Sequence, residues 1–291
     1  MGRVTAFGCY RAGLAILSTD VAEPSHRDAW SPLIDSHAHI FLRELPLAEN
    51  ATFRPSRSVT EQDYLDILDR ESIQFGVLTA PSFLGTYNDY TLAVLRRNRR
   101  LRGTAIVDPA IDPYTLRAMA DDGIVGIRYS LRRYPDIPDF TSPAYRRLLR
   151  RVQDLDWFVH IMAESDKLAA LVPILADSGV KLVVDHFGVP EKSFSEDRGL
   201  QAIMRAVQAG RTWIKLAAPY RTQGSDMKGL ARKFLSAAGP ERLLWGSDWP
   251  WTGHEGKFSY RDTVDWFKDW IPEQDIREKI GRTALALHGF A

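Results

Sequence analysis

The chain has a single cysteine, Cys9, so it can form no internal disulfide and build no cysteine-based zinc site. Neither sign of charge dominates: 38 Lys and Arg stand against 37 Asp and Glu, a net of +1. Such a balance gives no field for nucleic acid or an anionic membrane surface. No apolar run nears the roughly 18 residues that a membrane span requires. A G-x-G-x-x-G loop, a P-loop, a G-x-S-x-G elbow and an H-E-x-x-H helix are all missing. Their absence argues against dinucleotide binding, nucleotide hydrolysis, serine-elbow hydrolysis and helical zinc-protease chemistry. What is there is ordinary for a globular protein, with 45% hydrophobic and 26% charged residues, in a length that suits one large domain.

Residues 1–31 fit the rest poorly. The run Ala12-Gly13-Leu14-Ala15-Ile16-Leu17 follows Arg3 and Arg11 much as a signal peptide would, but it is short and Ser18-Thr19-Asp20 interrupts it. The segment reads as a loose N-terminal extension, and the expected compartment is the cytoplasm.

From residue 33 onward, short apolar runs alternate with stretches whose apolar residues lie three and four apart. Strands are expected at 33–36, 75–80, 103–107, 124–129, 157–162, 180–185, 212–216 and 242–246, with a last helix over 273–288. Alternating strands and helices imply parallel β-α units. Eight such units, spaced about 30 residues apart, predict an α/β fold: a single-domain (β/α)8 TIM barrel over residues 32–291.

In such barrels the active site lies at the C-terminal ends of the strands. His37 and His39 end the first strand on one face, because residues i and i+2 point the same way. His186 follows the sixth strand and Asp248 the eighth. Arg128 ends the fourth; Lys215 and Arg221 follow the seventh; Ser82, Tyr87 and Asn88 follow the second. Met162 ends the fifth, and its parity is shared by His160 and Glu164. His254 lies between Gly253 and Gly256 in the loop after the eighth. Taken singly, each has a plainer use: His186 as a satisfied core histidine, Asp248 as a turn cap, Lys215 as an ion-pair partner, His254 as a lid residue, Ser82 as a turn residue. Their gathering at one rim is what stability alone explains badly.

The stretches I-D-S-H-A-H, V-V-D-H-F-G and L-L-W-G-S-D-W-P, in that order at strand ends, resemble the amidohydrolase-2 group of the amidohydrolase superfamily. F-L-G-T-Y-N-D (83–89) and I-V-D-P-A (106–110) are similar to the branch containing 2-pyrone-4,6-dicarboxylate lactonase and related lactonases. The resemblance covers about residues 33–290. It implies a hydrolase that opens a carboxylated lactone, with His37, His39, His186 and Asp248 as the catalytic cluster and Asp248 activating water. It also implies that Arg128 and Arg221 hold the substrate's carboxylates; Ser82, Tyr87, Asn88, Met162 and His254, at the same rim, are the other expected substrate contacts. Tyr87 and Met162 depart from the branch's pattern, where aspartate and tyrosine are common, so the exact substrate is open. A two-metal centre is not expected, since Arg128 cannot bridge metals. One Zn2+ on some of His37, His39, His186 and Asp248, or a metal-free site, are both consistent with the branch. The expected partner is a small carboxylated substrate, with oligomeric state open. Two other readings stand beside this one: a zinc-dependent decarboxylase or amide hydrolase of the same group, and a non-catalytic barrel that binds a small acid.

Overall fold

The structure, a computed structural model, describes residues 30–132, 137–191, 193–222 and 226–290. The extension up to residue 29 lies outside the described residues. Ser31–Ala291 forms one compact unit. Its strands are β1 (Ile34–Ala38), β2 (Phe75–Leu78), β3 (Leu101–Ala105), β4 (Ile124–Ser130), β5 (Phe158–Met162), β6 (Lys181–Val184), β7 (Thr212–Leu216) and β8 (Leu243–Trp245). They pair in parallel in chain order. The helices among the described residues are α1 (Glu61–Arg70), α2 (Asp89–Arg97), α3 (Pro113–Asp122), α4 (Pro143–Asp154), α5 (Ser165–Asp177), α6 (Arg198–Gln208), α7 (Met227–Ala238), α8 (Tyr260–Trp270) and α9 (Gln274–Leu287). None of them is long and apolar enough to cross a membrane.

Local chemistry accounts for the punctuation. Thr60 and Ser259 begin α1 and α8 with capping boxes, each returning a hydrogen bond from Asp63 or Asp262. Asp112 caps α3 ahead of Pro113, where a missing N–H costs nothing. The barrel closes between β1 and the segment after β8, where the His39 N–H donates to Trp249 O and the Asp248 N–H to His37 O, both at 2.8 Å. Closure needs a glycine at 246: a Cβ there would lie 2.6 Å from His37 Cβ and 2.9 Å from its nitrogen. The hydrogen bonds that close the barrel therefore also set Asp248 beside His37.

The pairing of β1 with β2 shifts register between Asp35 and Ala38, and this irregularity separates two tasks. Strict alternation would put Asp35 and His37 on one face. Instead Asp35 meets Tyr64 of α1 and Tyr260 of α8 outside the barrel, while Ile34 and His37 face inward.

Ile34, Val77, Phe158, Val183 and Leu244, one from each of five strands, form one buried cluster with Ala284. The last turns of α9 thus close the barrel floor. His288, just beyond α9, is fully buried, with Nδ1 2.6 Å from Ala284 O. Burial, with Lys215 nearby, pushes its pKa down to about 3. The unfolded chain, with a histidine near 6.5, takes up a proton that the folded chain refuses. Stability is therefore full above pH 6.5 and falls as pH drops toward 3. His288→Phe is expected to flatten the decline in folding free energy between pH 7 and 5 by about 2 kcal/mol, read from denaturant titrations at each pH. An unchanged slope would show that His288 is not held neutral.

Candidate active site

Six of the eight strand ends contribute to a buried polar group at the barrel's C-terminal mouth. His37 and His39 come from β1, Arg128 from β4, His160 from β5, Asp185 and His186 from the end of β6, Lys215 from β7, and Asp248 from the turn after β8; all are buried. His186 and Asp248 have left-handed backbones, with φ of 48° and 57°. For residues with a Cβ such a backbone is strained, and it persists where the surroundings impose it. At Asp248 the surroundings are visible. The neighbouring Ser247 donates to Asp35 from its N–H (2.9 Å) and its hydroxyl (2.6 Å), and Tyr64 and Tyr260 donate to the same carboxylate.

Hydrogen-bond partners fix the tautomers of the first two histidines. His39 Nδ1 lies 2.7 Å from Thr79 O, and His37 Nδ1 lies 3.0 Å from Asp185 Oδ1. Both oxygens can only accept, and the one competing donor, Lys215 Nζ, stands farther from His37 Nδ1 at 3.4 Å, so both Nδ1 atoms carry the proton. Each Nε2 then presents a lone pair. The two Nε2 atoms stand 3.2 Å apart, with Asp248 Oδ1 3.3 Å from one and 3.5 Å from the other. Asp248 Oδ1 has no hydrogen-bond partner among the described residues. Three electron-rich atoms thus face one point, an arrangement that repels itself unless a cation or a shared proton lies there.

Burial holds the histidines below their ordinary range. It lowers His37 and His160 strongly, with Asp185 opposing, and takes His186 down to about 4. Burial would raise the Asp248 carboxyl, but the Arg221 guanidinium and neighbouring His186 outweigh it and hold it well below the carboxylate range. The other Asp248 oxygen, Oδ2, accepts from Tyr220 OH (2.6 Å) and from Arg221 Nε and Nη2 (2.7 Å each). One oxygen is saturated and the other is bare.

A cation would find two candidate sets: His37, His39 and Asp248, or His37, Asp185 and His186. In the second, Asp185 is already engaged by His37, His160 and Arg128. The first set fits better. Its separations of 3.2–3.5 Å match the roughly 3.3 Å between tetrahedrally placed donors with bonds of about 2.0–2.1 Å. His186 flanks this set, its Nε2 3.9 Å from Asp248 Oδ1.

Above the group opens a cavity of about 220 Å3, lined among others by Ser82, Phe83, Arg128, Arg132, Met162, His186, Arg221, Asp248 and His254. Three arginines against one aspartate make it attractive to anions. Of the residues expected to touch substrate, Tyr87 and Asn88 stay outside this lining. Asn88 instead bonds the backbone at Thr86 and Ile106 and so ties two loops together. Arg221 lines the cavity, but two of its nitrogens are on Asp248. Sequence reasoning gave no role to Asp185, Tyr220 or Phe53. Asp185 did carry a signal, since an acid ending an apolar strand run must find partners once buried.

The chain matches the amidohydrolase family model over residues 34–290. It is 29% identical over 269 residues to 4-sulfomuconolactone hydrolase from Rhizobium radiobacter, covering 87% of each chain. It is 26% identical over 238 residues to 2-pyrone-4,6-dicarboxylate hydrolase from Comamonas testosteroni, covering 75% of this chain and 76% of that one. Among solved structures, a probable 2-pyrone-4,6-dicarboxylic acid hydrolase from Acinetobacter baumannii with citric acid bound superposes with a TM-score of 0.84 at 30% identity. It spans 89% of this chain and 100% of that one. Fold, rim residues and whole-length similarity agree: the chain belongs to the amidohydrolase family.

Proposed function

We propose that the protein hydrolyses a small lactone that bears a carboxylate or similar anionic group. The observation that carries this reading is the bare Oδ1 of Asp248, buried and facing the Nε2 atoms of His37 and His39 at the foot of an arginine-lined cavity. Lactone opening needs a base for water, positive charge for the developing oxyanion and a proton for the departing ring oxygen. Asp248 Oδ1 takes a proton from the attacking water, whose oxygen bonds to the lactone carbonyl carbon. When the tetrahedral intermediate collapses, the ring C–O bond breaks and the ring oxygen receives that proton, giving a hydroxy acid. Arg128 and Arg132, on the cavity wall, attract the substrate's anionic group; a guanidinium fork suits a carboxylate.

In the alternative, metal-loaded form of the site, His37, His39 and Asp248, with His186 alongside, would hold one Zn2+ through the same Oδ1 that acts as base in the metal-free form. Bound there, such an ion lowers the pKa of water to about 7 and polarises the carbonyl. The donor set supports it: two neutral imidazoles and a carboxylate converge with no protein hydrogen to share.

The test is a panel of lactones, each carboxylated one paired with its neutral analogue, followed by acid release with a pH indicator. Faster opening of the carboxylated members is expected. Inertness toward all lactones, together with decarboxylation of aromatic acids or hydrolysis of amides, would overturn the proposal.

A further inference from the structure

Asp185 ends β6 with no exposed surface, so no substrate reaches it, yet its carboxylate joins four other strands. Oδ1 accepts from Nδ1 of His37 on β1 (3.0 Å) and from Nε2 of His160 on β5, and stands 3.7 Å from Lys215 Nζ on β7. Oδ2 accepts from Nη2 of Arg128 on β4 at 3.3 Å. Arg128 is pinned on its other side, where Nη1 donates to Ala80 O at 2.7 Å. A carboxylate removed from water in this way is tolerated only with charged and hydrogen-bonded partners, and Lys215 and Arg128 supply them.

We infer that Asp185 is a positioning residue that sets both halves of the site at once: it fixes the tautomer of His37 and the orientation of the anion-holding Arg128. Accepting the Nδ1 proton of His37 forces the Nε2 lone pair toward His39 and Asp248. Holding Arg128 by one nitrogen, with Ala80 O holding another, leaves its Nε without a partner among the described residues. The guanidinium is thereby aimed before any ligand arrives. The link to Arg128 rests on the lactone-hydrolase reading above. The link to His37 does not.

The experiment measures both. In the wild-type protein at pH 7, nitrogen-15 imidazole spectra are expected to show His37 protonated at Nδ1 and bare at Nε2. In Asp185→Asn, His37 should populate the other tautomer. The same variant should lose about 10- to 100-fold in kcat and show a raised KM for a carboxylated lactone more than for its neutral analogue. A residue that merely balances Lys215 would lower stability and leave the tautomer and the kcat-to-KM split unmoved, which would overturn the inference. Should Asp185→Asn fail to fold, the double variant Asp185→Asn/Lys215→Met removes both buried charges and carries the same test. An Nε2 proton on His37 in the wild-type protein overturns it without any variant. Because the spectra need no turnover, failure of the lactone reading leaves the His37 half standing or falling on its own.

Discussion

Asp248→Asn is expected to lower kcat by about 10³-fold, within the 10²–10⁴ range that a general base supplies, while the protein still folds and binds substrate. The reason lies in the unequal treatment of the two oxygens. Tyr220 and Arg221 both need an acceptor at Oδ2, so the asparagine carbonyl will take that place. Its NH2 then points at the Nε2 lone pairs of His37 and His39, where a donor is welcome. The variant keeps its hydrogen bonds and loses the one atom able to take a proton from water. Calorimetric binding of a carboxylated lactone should persist within several-fold of wild type. Turnover within ten-fold of wild type would exclude Asp248 as the base.

Substitution of the two arginines is expected to have separable consequences, although the sequence suggests a common role for them. Arg128 is 4% exposed and turns no hydrogen bond toward Asp248. Arg128→Met should reduce kcat/KM for a carboxylated lactone by about 10²-fold, chiefly through KM, since an unpaired buried charge on the ligand costs on the order of 2–5 kcal/mol. Its neutral analogue should lose much less. Arg221 instead grips Asp248 Oδ2. Arg221→Ala should therefore lower kcat by about 10-fold or more on charged and neutral lactones alike, because Asp248 loses its orientation. Steady-state kinetics on one matched pair of substrates decides this. If Arg221→Ala raises KM for the carboxylated member alone, Arg221 binds substrate and its pairing with Asp248 gives way on binding.

Much of this site was legible in the sequence because barrel geometry turns chain position into spatial position. Eight apolar runs at regular spacing gave the strand count, and the rule that chemistry sits at strand ends brought His37, His39, His186 and Asp248 to one rim. The readings that needed more than position were those depending on irregular backbone or on which partner wins a side chain. Alternation put His37 and His39 on one face, and their Nε2 atoms do meet. The same alternation would have sent Asp35 inward as well, and only the register shift of β1 turns it out to Tyr64 and Tyr260. Asp185 reads in the sequence as the last residue of an apolar strand, beside a more conspicuous histidine. The resemblance places Arg221 at the substrate, and nothing in the sequence says that Asp248 also lies within its reach. The loop position of Asn88 suggests a substrate contact, whereas its amide is taken by backbone groups at Thr86 and Ile106.

The most direct measurement is a crystal structure of Asp248→Asn with an intact carboxylated lactone bound. The lactone carbonyl carbon should lie about 3–3.5 Å from an oxygen held between residue 248 and the His37–His39 pair, with the ligand's carboxylate on Arg128. A lactone whose carbonyl turns away from residue 248, or one seated outside the arginine-lined cavity, would contradict the account.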